Sequence, residues 1–414
     1  MKTTLFIFLR GILSAFSCCQ SISRSSRYAF LLLVVLLSGC ANHPKQPDSD
    51  VKLLTIDWKH ISDAMDYSFM VEDSVLMIPL ETTDECLIGE VTKLIYQNDL
   101  IYIADNTSQS VFVFDKFGKL KTKIHVVGNG PGEYTEINYF TVHGTDMVVY
   151  DINIRKLLFY DASGKFIYDK DVSDIWGTDL FCIGDILYLP NDGSSSKSGF
   201  YNLFTIDLSH SDKIEKYLPF EDSQNDQGWS IDSYYALLGN EALLCFCPFD
   251  ELYTVKDGEV SLSYKVDFGD RRLPKQYIEG DGTTALRTAI RDNYVTGIDR
   301  VRQSKKYVFL QFGDSENDYV TIYNKETGEI QTTKDLSNAK MGDLLLQANG
   351  ESFIIQNERI IQCYNADYWN YPGAMERVES SHFYTEELKQ KFLKLTQTDE
   401  SESNPIILIQ KLKQ

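Results

Sequence analysis

Several things are scarce in this 414-residue chain, and each scarcity excludes something. Basic side chains number 40 against 60 acidic ones, a formal charge of −20. No long run of Lys and Arg follows residue 30, so no nucleic-acid partner is expected, because phosphate neutralisation needs clustered cations. The six histidines (His43, His60, His125, His143, His210, His382) show neither HExxH nor another paired-ligand spacing, which argues against a zinc site. No G-x-S-x-G elbow supports a serine hydrolase. There is no CxxC, and Cys86, Cys182, Cys245, Cys247 and Cys363 read as small buried hydrophobes. Proline is sparse at 10 residues, whereas Tyr (25) and Phe (23) are abundant and favour strands. With 43% hydrophobic residues the chain can build a core, so disorder is excluded for most of it. Length alone allows two or three domains of ~150 residues, although all-β domains run longer.

The first 40 residues read as an address. They hold Lys2, Arg10, Arg24 and Arg27, no acid, and then the apolar run Tyr28 to Leu37, too short to span a bilayer. The run ends in Leu37-Ser38-Gly39-Cys40, which resembles the bacterial lipoprotein signal, with Cys40 the lipidated residue. A second apolar patch, Leu5 to Leu9, makes this leader unusually long. Residues 41–50, polar and containing Pro44 and Pro47, read as a tether. The remainder carries 36 basic and 60 acidic side chains, net −24, and is repelled by anionic headgroups. Attachment to a membrane is therefore expected through acyl chains.

Residues 51–414 repeat. Asp105, Asp115 and Gly118 recur as Asp151, Asp161 and Gly164, each 46 residues on, and Asp207 follows Asp161 by the same step. A period of this length built of short strands is a propeller signature. Six first turns are read at Asn98-Asp99, Gly144-Thr145, Gly184-Asp185, Gly239-Asn240, Gln303-Ser304 and Asn349-Gly350, mostly residue types that tolerate positive φ. The fold expected is thus all-β, a six-bladed β-propeller of four-stranded antiparallel blades. In the sixth unit, Ser352 to Ile355 and Arg359 to Tyr364 read as strands two and three, and its fourth strand comes from either Pro405 to Gln410 or Val75 to Leu80. Thr283 to Tyr294 and Tyr384 to Thr396 have helical spacing and read as inserts.

The string Gly128-Asn129-Gly130-Pro131-Gly132-Glu133-Tyr134 is neither a dinucleotide fingerprint nor a Walker loop. Together with the lipobox, Ile78-Pro79-Leu80-Glu81, Tyr102 to Asp105, Phe114-Asp115 and Asn404-Pro405-Ile406, it resembles the six-bladed β-propeller lipoproteins of bacterial envelopes, related to NHL-repeat propellers. The resemblance covers essentially the whole mature chain. It implies the fold and an envelope location, with outer-membrane attachment through the lipid, but transfers no catalytic residue.

In a propeller the loops between blades and those between strands two and three open on one face, at the mouth of the central channel. This places Asp105, Asn106, Gly130, Glu133, Tyr134, Asp151, Asn153, Asn191, Asp250, Asp314 and Asn357 on a candidate ligand-binding face. Asp and Asn there either cap turns through nearby backbone N–H groups or offer oxygen ligands to Ca²⁺ or a sugar. Trp176, Trp229 and Trp369 either stack on sugars or pack between blades. Two functions follow. The first is a monomeric, non-catalytic scaffold binding a glycan, peptide or envelope protein, and it needs no cofactor. The alternative is a Ca²⁺-dependent hydrolase of lactonase type, with the metal in the channel. The first is favoured because the inner strands supply few inward carboxylates.

Overall fold

A computed structural model describes residues 51–209, 213–222, 231, 233–278, 282–338, 353–364, 376, 379, 386, 389–390 and 403–413. Val51–Gln414 form one compact unit. Six antiparallel blades, numbered I to VI, succeed one another along the chain. Blade I comprises Lys93–Gln97, Leu100–Asp105, Ser110–Asp115 and Leu120–Ile124, and blade II Tyr139–His143, Asp146–Asp151, Lys156–Tyr160 and Phe166–Asp171. Blade III runs from Phe181 to Pro219, blade IV from Tyr235 to Asp267 and blade V from Arg300 to Ser337. The two central strands of blades I and II are mostly apolar and buried, as expected for strands covered on both faces.

Each blade buries its faces against its neighbours. Tyr102 and Val113 of blade I pack with Phe140 and Val149 of blade II, and Phe309 of blade V packs with Ile360 of blade VI. The circle closes where Ile361, Ile407 and Ile409 of blade VI meet Ile101, Phe112 and Phe114 of blade I. The core is therefore six wedges between blades. The third-to-fourth turn of blade I locks onto blade VI: a Cβ on Gly118 (φ +79) would stand 2.1 Å from the Pro79 carbonyl oxygen, so only glycine fits.

Both chain ends close blade VI. Its strands lie in the order Phe353–Gln356, Arg359–Tyr364, Ile406–Leu412, Val71–Pro79, so the C-terminal segment is third and the N-terminal segment fourth. This corrects the phase expected for the sixth unit, since 353–356 and 359–364 are strands one and two. The first turn is Asn357-Glu358, with φ 50 and 58, matching Asn98 (φ 54) and Asp99 (φ 59) in blade I. Asn357 consequently lies on the face opposite the expected one and drops out of the candidate surface. Asn349-Gly350 falls outside the described residues. In blade V the turn residues are Lys305-Lys306, two places beyond the expected pair, closed by the Ser304 N–H on the Tyr307 carbonyl at 2.8 Å.

Two blades have five strands instead of four. Lys52–Thr55 adds in parallel to the outer edge of blade IV and Ser62–Asp66 does the same on blade V. Before entering blade VI, the N-terminal segment thus covers two edges that unpaired N–H and C=O groups would otherwise expose. Asn404 secures the junction: its Nδ2 donates to the Glu81 and Cys86 carbonyls at 2.7 and 2.6 Å, and its Oδ1 accepts from Ile88 N at 2.8 Å. The expected helical insert appears as Gly282–Arg291, preceded by Lys275–Ile278. That at 384–396 lies largely outside the described residues, as do Trp229 and Trp369. Cys86, Cys182, Cys245, Cys247 and Cys363 are free thiols, Cys86 and Cys245 fully buried.

Candidate functional site: the channel mouth

Most of the expected aspartate ring is committed to the backbone. Asp105 is fully buried, and its carboxylate accepts from Gly89 N (2.8 Å), Glu90 N (3.1 Å), Thr107 N (2.9 Å), Ser108 N (3.2 Å) and Ser108 Oγ (2.6 Å). Asp151 repeats this, accepting from Thr135 N and Oγ1, Glu136 N, Asn153 N and Ile154 N. Each ties its own strand-two turn to the loop entering its own blade, so the 46-residue repeat is one of backbone stapling. Asp314 accepts from Glu316 N and Asn317 N, and from Arg271 Nη1 at 2.6 Å. Asp250 is held by Arg272 Nε at 2.8 Å. Asn191 is buried and braces its turn through Ser194 and Tyr201. Asn153 reaches Glu136 Oε2 at 3.0 Å.

The GNGPGEY loop is a self-braced turn. Glu133 Oε2 accepts from Gly130 N at 2.8 Å, and Tyr134, fully buried, donates to the Gln109 carbonyl at 2.8 Å. Gly132 is required there: its φ is +77 and a Cβ on it would meet the Phe166 ring at 2.6 Å, whereas a Cβ on Gly128 would displace only the Glu133 carboxylate. Trp176 is covered by the Arg155 guanidinium, 4.0 Å from its ring. Among the described residues no group of three or more His, Cys, Asp or Glu side chains is placed to hold a metal ion.

What the ring surrounds is a polar cavity of about 310 Å³ at the mouth, on the face of the interblade loops. Blades I to IV line it, with Lys93, Tyr139, Asp179 and Tyr234 from strand entries and Asn106 and Asp192 from second-strand exits. Of the expected residues Asn106 belongs to it, and so does Asp192, which follows Asn191 at the exit of the second strand of blade III. Lys93, Tyr139, Asp179 and Tyr234 went unread because they stand at strand entries with a different residue type in each blade. The available signal was register, since Tyr139 follows Lys93 by the same 46 residues.

Lys93 Nζ bonds both Asp179 oxygens at 3.0 Å and lies 4.7 Å from the centre of the Tyr235 ring. Burial opposes the charge on Lys93, but Asp179 and Tyr235 outweigh it and hold its pKa above the usual lysine range. Tyr234 Oη lies 3.3 Å from Asp192 Oδ2, and burial followed by the Asp192 charge pushes its pKa up. Burial, with the charges of Asp179 and Asp192, raises Tyr139 to about 12. These hydroxyls remain protonated donors at neutral pH beside carboxylate acceptors, an arrangement suited to the hydroxyl and amide groups of a polar ligand.

Fold and mouth together define a six-bladed β-propeller with a polar axial cavity. The chain belongs to the DUF4934 family, a domain of unknown function, whose profile matches residues 63–411. No curated protein matches it. It is similar in fold to a candidate exported protein of Bacteroides fragilis NCTC 9343, with a TM-score of 0.67 and 18% identity over 88% of this chain and 100% of that one. A DUF4221-family member from Bacteroides vulgatus ATCC 8482 gives 0.46 at 12% identity, over 83% of this chain and 97% of that one. BamB from Moraxella catarrhalis gives 0.38 at 11%, over 82% and 98%.

Proposed function

We propose that the chain is a lipid-anchored, NHL-like propeller of the bacterial envelope that captures a glycan or peptide at its channel mouth and does no chemistry on it. The observation that carries the reading is the mouth cavity, where four blades bring together Lys93, Asn106, Tyr139, Asp179, Asp192 and Tyr234. The lipobox ending at Cys40 supports attachment through acyl chains, with outer-membrane placement and a monomeric body as parts of the same proposal. The likeness to a candidate exported protein supports a location outside the cytoplasm. A scaffold role suits a site whose flanking carboxylates are saturated by backbone donors and so lack room for a metal or a proton to be transferred. Screening the chain on glycan and peptide arrays tests the reading: a ligand class bound by the native protein and lost in Asp192→Ala supports it. Binding that Asp192→Ala and Tyr139→Ala both retain would place the ligand elsewhere.

A further inference from the structure

We infer that the mouth ligand is the sugar head of an amphiphile, and that the central channel behind the mouth takes its single alkyl or acyl chain. The inference rests on the mouth reading above and extends that site inward. A cavity of about 620 Å³ lies between the innermost strands of blades I, IV, V and VI, and it meets the mouth cavity at Thr92 and Lys93, which line both. Lys93 marks the change in chemistry. On the mouth side its ammonium bonds both Asp179 oxygens at 3.0 Å, and on the channel side the same group stands 4.7 Å from the centre of the Tyr235 ring.

Beyond Lys93 the channel wall carries uncovered apolar surface. Val91 and Leu94 of blade I and its entry, Leu237 of blade IV, and Ile354 and Cys363 of blade VI are half-buried and line the cavity. Blades I and IV stand opposite each other in a ring of six, so this surface faces itself across the channel. Polar side chains on the same wall turn to the protein. Gln356 Oε1 accepts from Tyr96 N at 2.8 Å, and Arg302 donates through Nε to the Phe353 carbonyl at 2.8 Å and through Nη1 to Gln311 Oε1 at 3.3 Å. Arg300, 7% exposed, has partners of its own, and Glu90 is exposed. Water gains little beside such walls, whereas a hydrocarbon chain covers apolar surface on several sides at once. A neutral sugar suits the head, because the Tyr139 and Tyr234 hydroxyls stay protonated beside the Asp179 and Asp192 carboxylates.

The test is calorimetric titration of the chain with methyl, hexyl and octyl β-glucosides, each below its micellar concentration. Saturable one-to-one binding that tightens about fourfold for each methylene between hexyl and octyl is expected. The heat-capacity change should grow more negative along the series. Leu237→Asn and Ile354→Asn each place an amide on the wall and should cut the gain to less than about twofold per methylene, with circular dichroism checking that they fold. Equal affinities for the three glucosides, no saturable binding of octyl glucoside, or the native increment in both variants would overturn the channel site. The increment is read on the native protein alone, so a variant that fails to fold does not weaken the test. Asp192→Ala should weaken every glucoside by the same factor and leave the increment unchanged. A flat series beside an array ligand that Asp192→Ala abolishes overturns the channel and leaves the mouth reading standing; a steep series that Asp192→Ala leaves untouched overturns the mouth reading instead.

Discussion

Lys93 and Asp179 stand 86 residues apart in sequence, yet the lysine ammonium lies 3.0 Å from both carboxylate oxygens, joining blade I to the entry of blade III. Their side chains are 26% and 11% exposed, so each charge depends on the other. Lys93→Met alone leaves Asp179 without its counter-charge and should cost roughly 3 kcal/mol. Adding Asp179→Leu should recover most of that loss, measured by urea unfolding. A single variant as stable as the native chain would show that the pair is not coupled.

Ring closure predicts the effect of shortening the chain. Truncation after Glu400 removes Ile406–Leu412, the strand lying between Arg359–Tyr364 and Val71–Pro79. Ile406, Ile407, Leu408, Ile409 and Leu412 are all buried, and at about 1.5–3 kcal/mol each their loss rivals the whole stability of a typical domain. The cooperative thermal transition should vanish. An unchanged melt would contradict closure by the C-terminal strand.

Alkaline pH should unfold the protein abruptly. Burial raises Tyr134, Tyr139, Tyr188 and Tyr235 to about 12, whereas tyrosines in the unfolded chain ionise near ~10. Between these values the unfolded state binds fewer protons than the native one, so stability falls as pH rises. Stability that is fully present below about pH 10 should be lost progressively toward 12. Tyrosinate absorbance followed with far-ultraviolet circular dichroism checks this, and titration of all tyrosines near their ordinary value before unfolding would contradict it.

Chelation should have no effect. With the oxygens of Asp105 and Asp151 taken by N–H and O–H donors, melting after EDTA and again with added Ca²⁺ should give the same Tm. A fall of several degrees that Ca²⁺ reverses would restore the metal-dependent reading.

The blades were legible where the chain repeats itself closely. The shared 46-residue offset of Asp105, Asp115 and Gly118 from their partners in blade II reflects one hairpin geometry used twice, down to left-handed Gln109 and Arg155 (φ 50 and 56). Blade VI was misphased because Asn349-Gly350 is a stronger hairpin signal than Asn357-Glu358, although the latter adopts the turn. Lys52–Thr55 and Ser62–Asp66 were invisible as strands: they are short, and each pairs with a partner more than 200 residues away. The carboxylates of the mouth were conspicuous in sequence because backbone stapling demands the same residue in successive blades. Lys93, Tyr139 and Asp179 were not, since a ligand cavity needs different chemistry from each wall.

The most direct test compares two aspartates on the same face. Asp105→Asn disturbs a buried carboxylate accepting from Gly89, Glu90, Thr107 and Ser108, and should lower stability by about 2 kcal/mol while array binding persists. Asp192→Asn alters the cavity wall and should shift stability by less than about 1 kcal/mol while abolishing binding. The account predicts this separation of stability from binding. The reverse pattern, binding lost in Asp105→Asn at native stability and retained in Asp192→Asn, would contradict it.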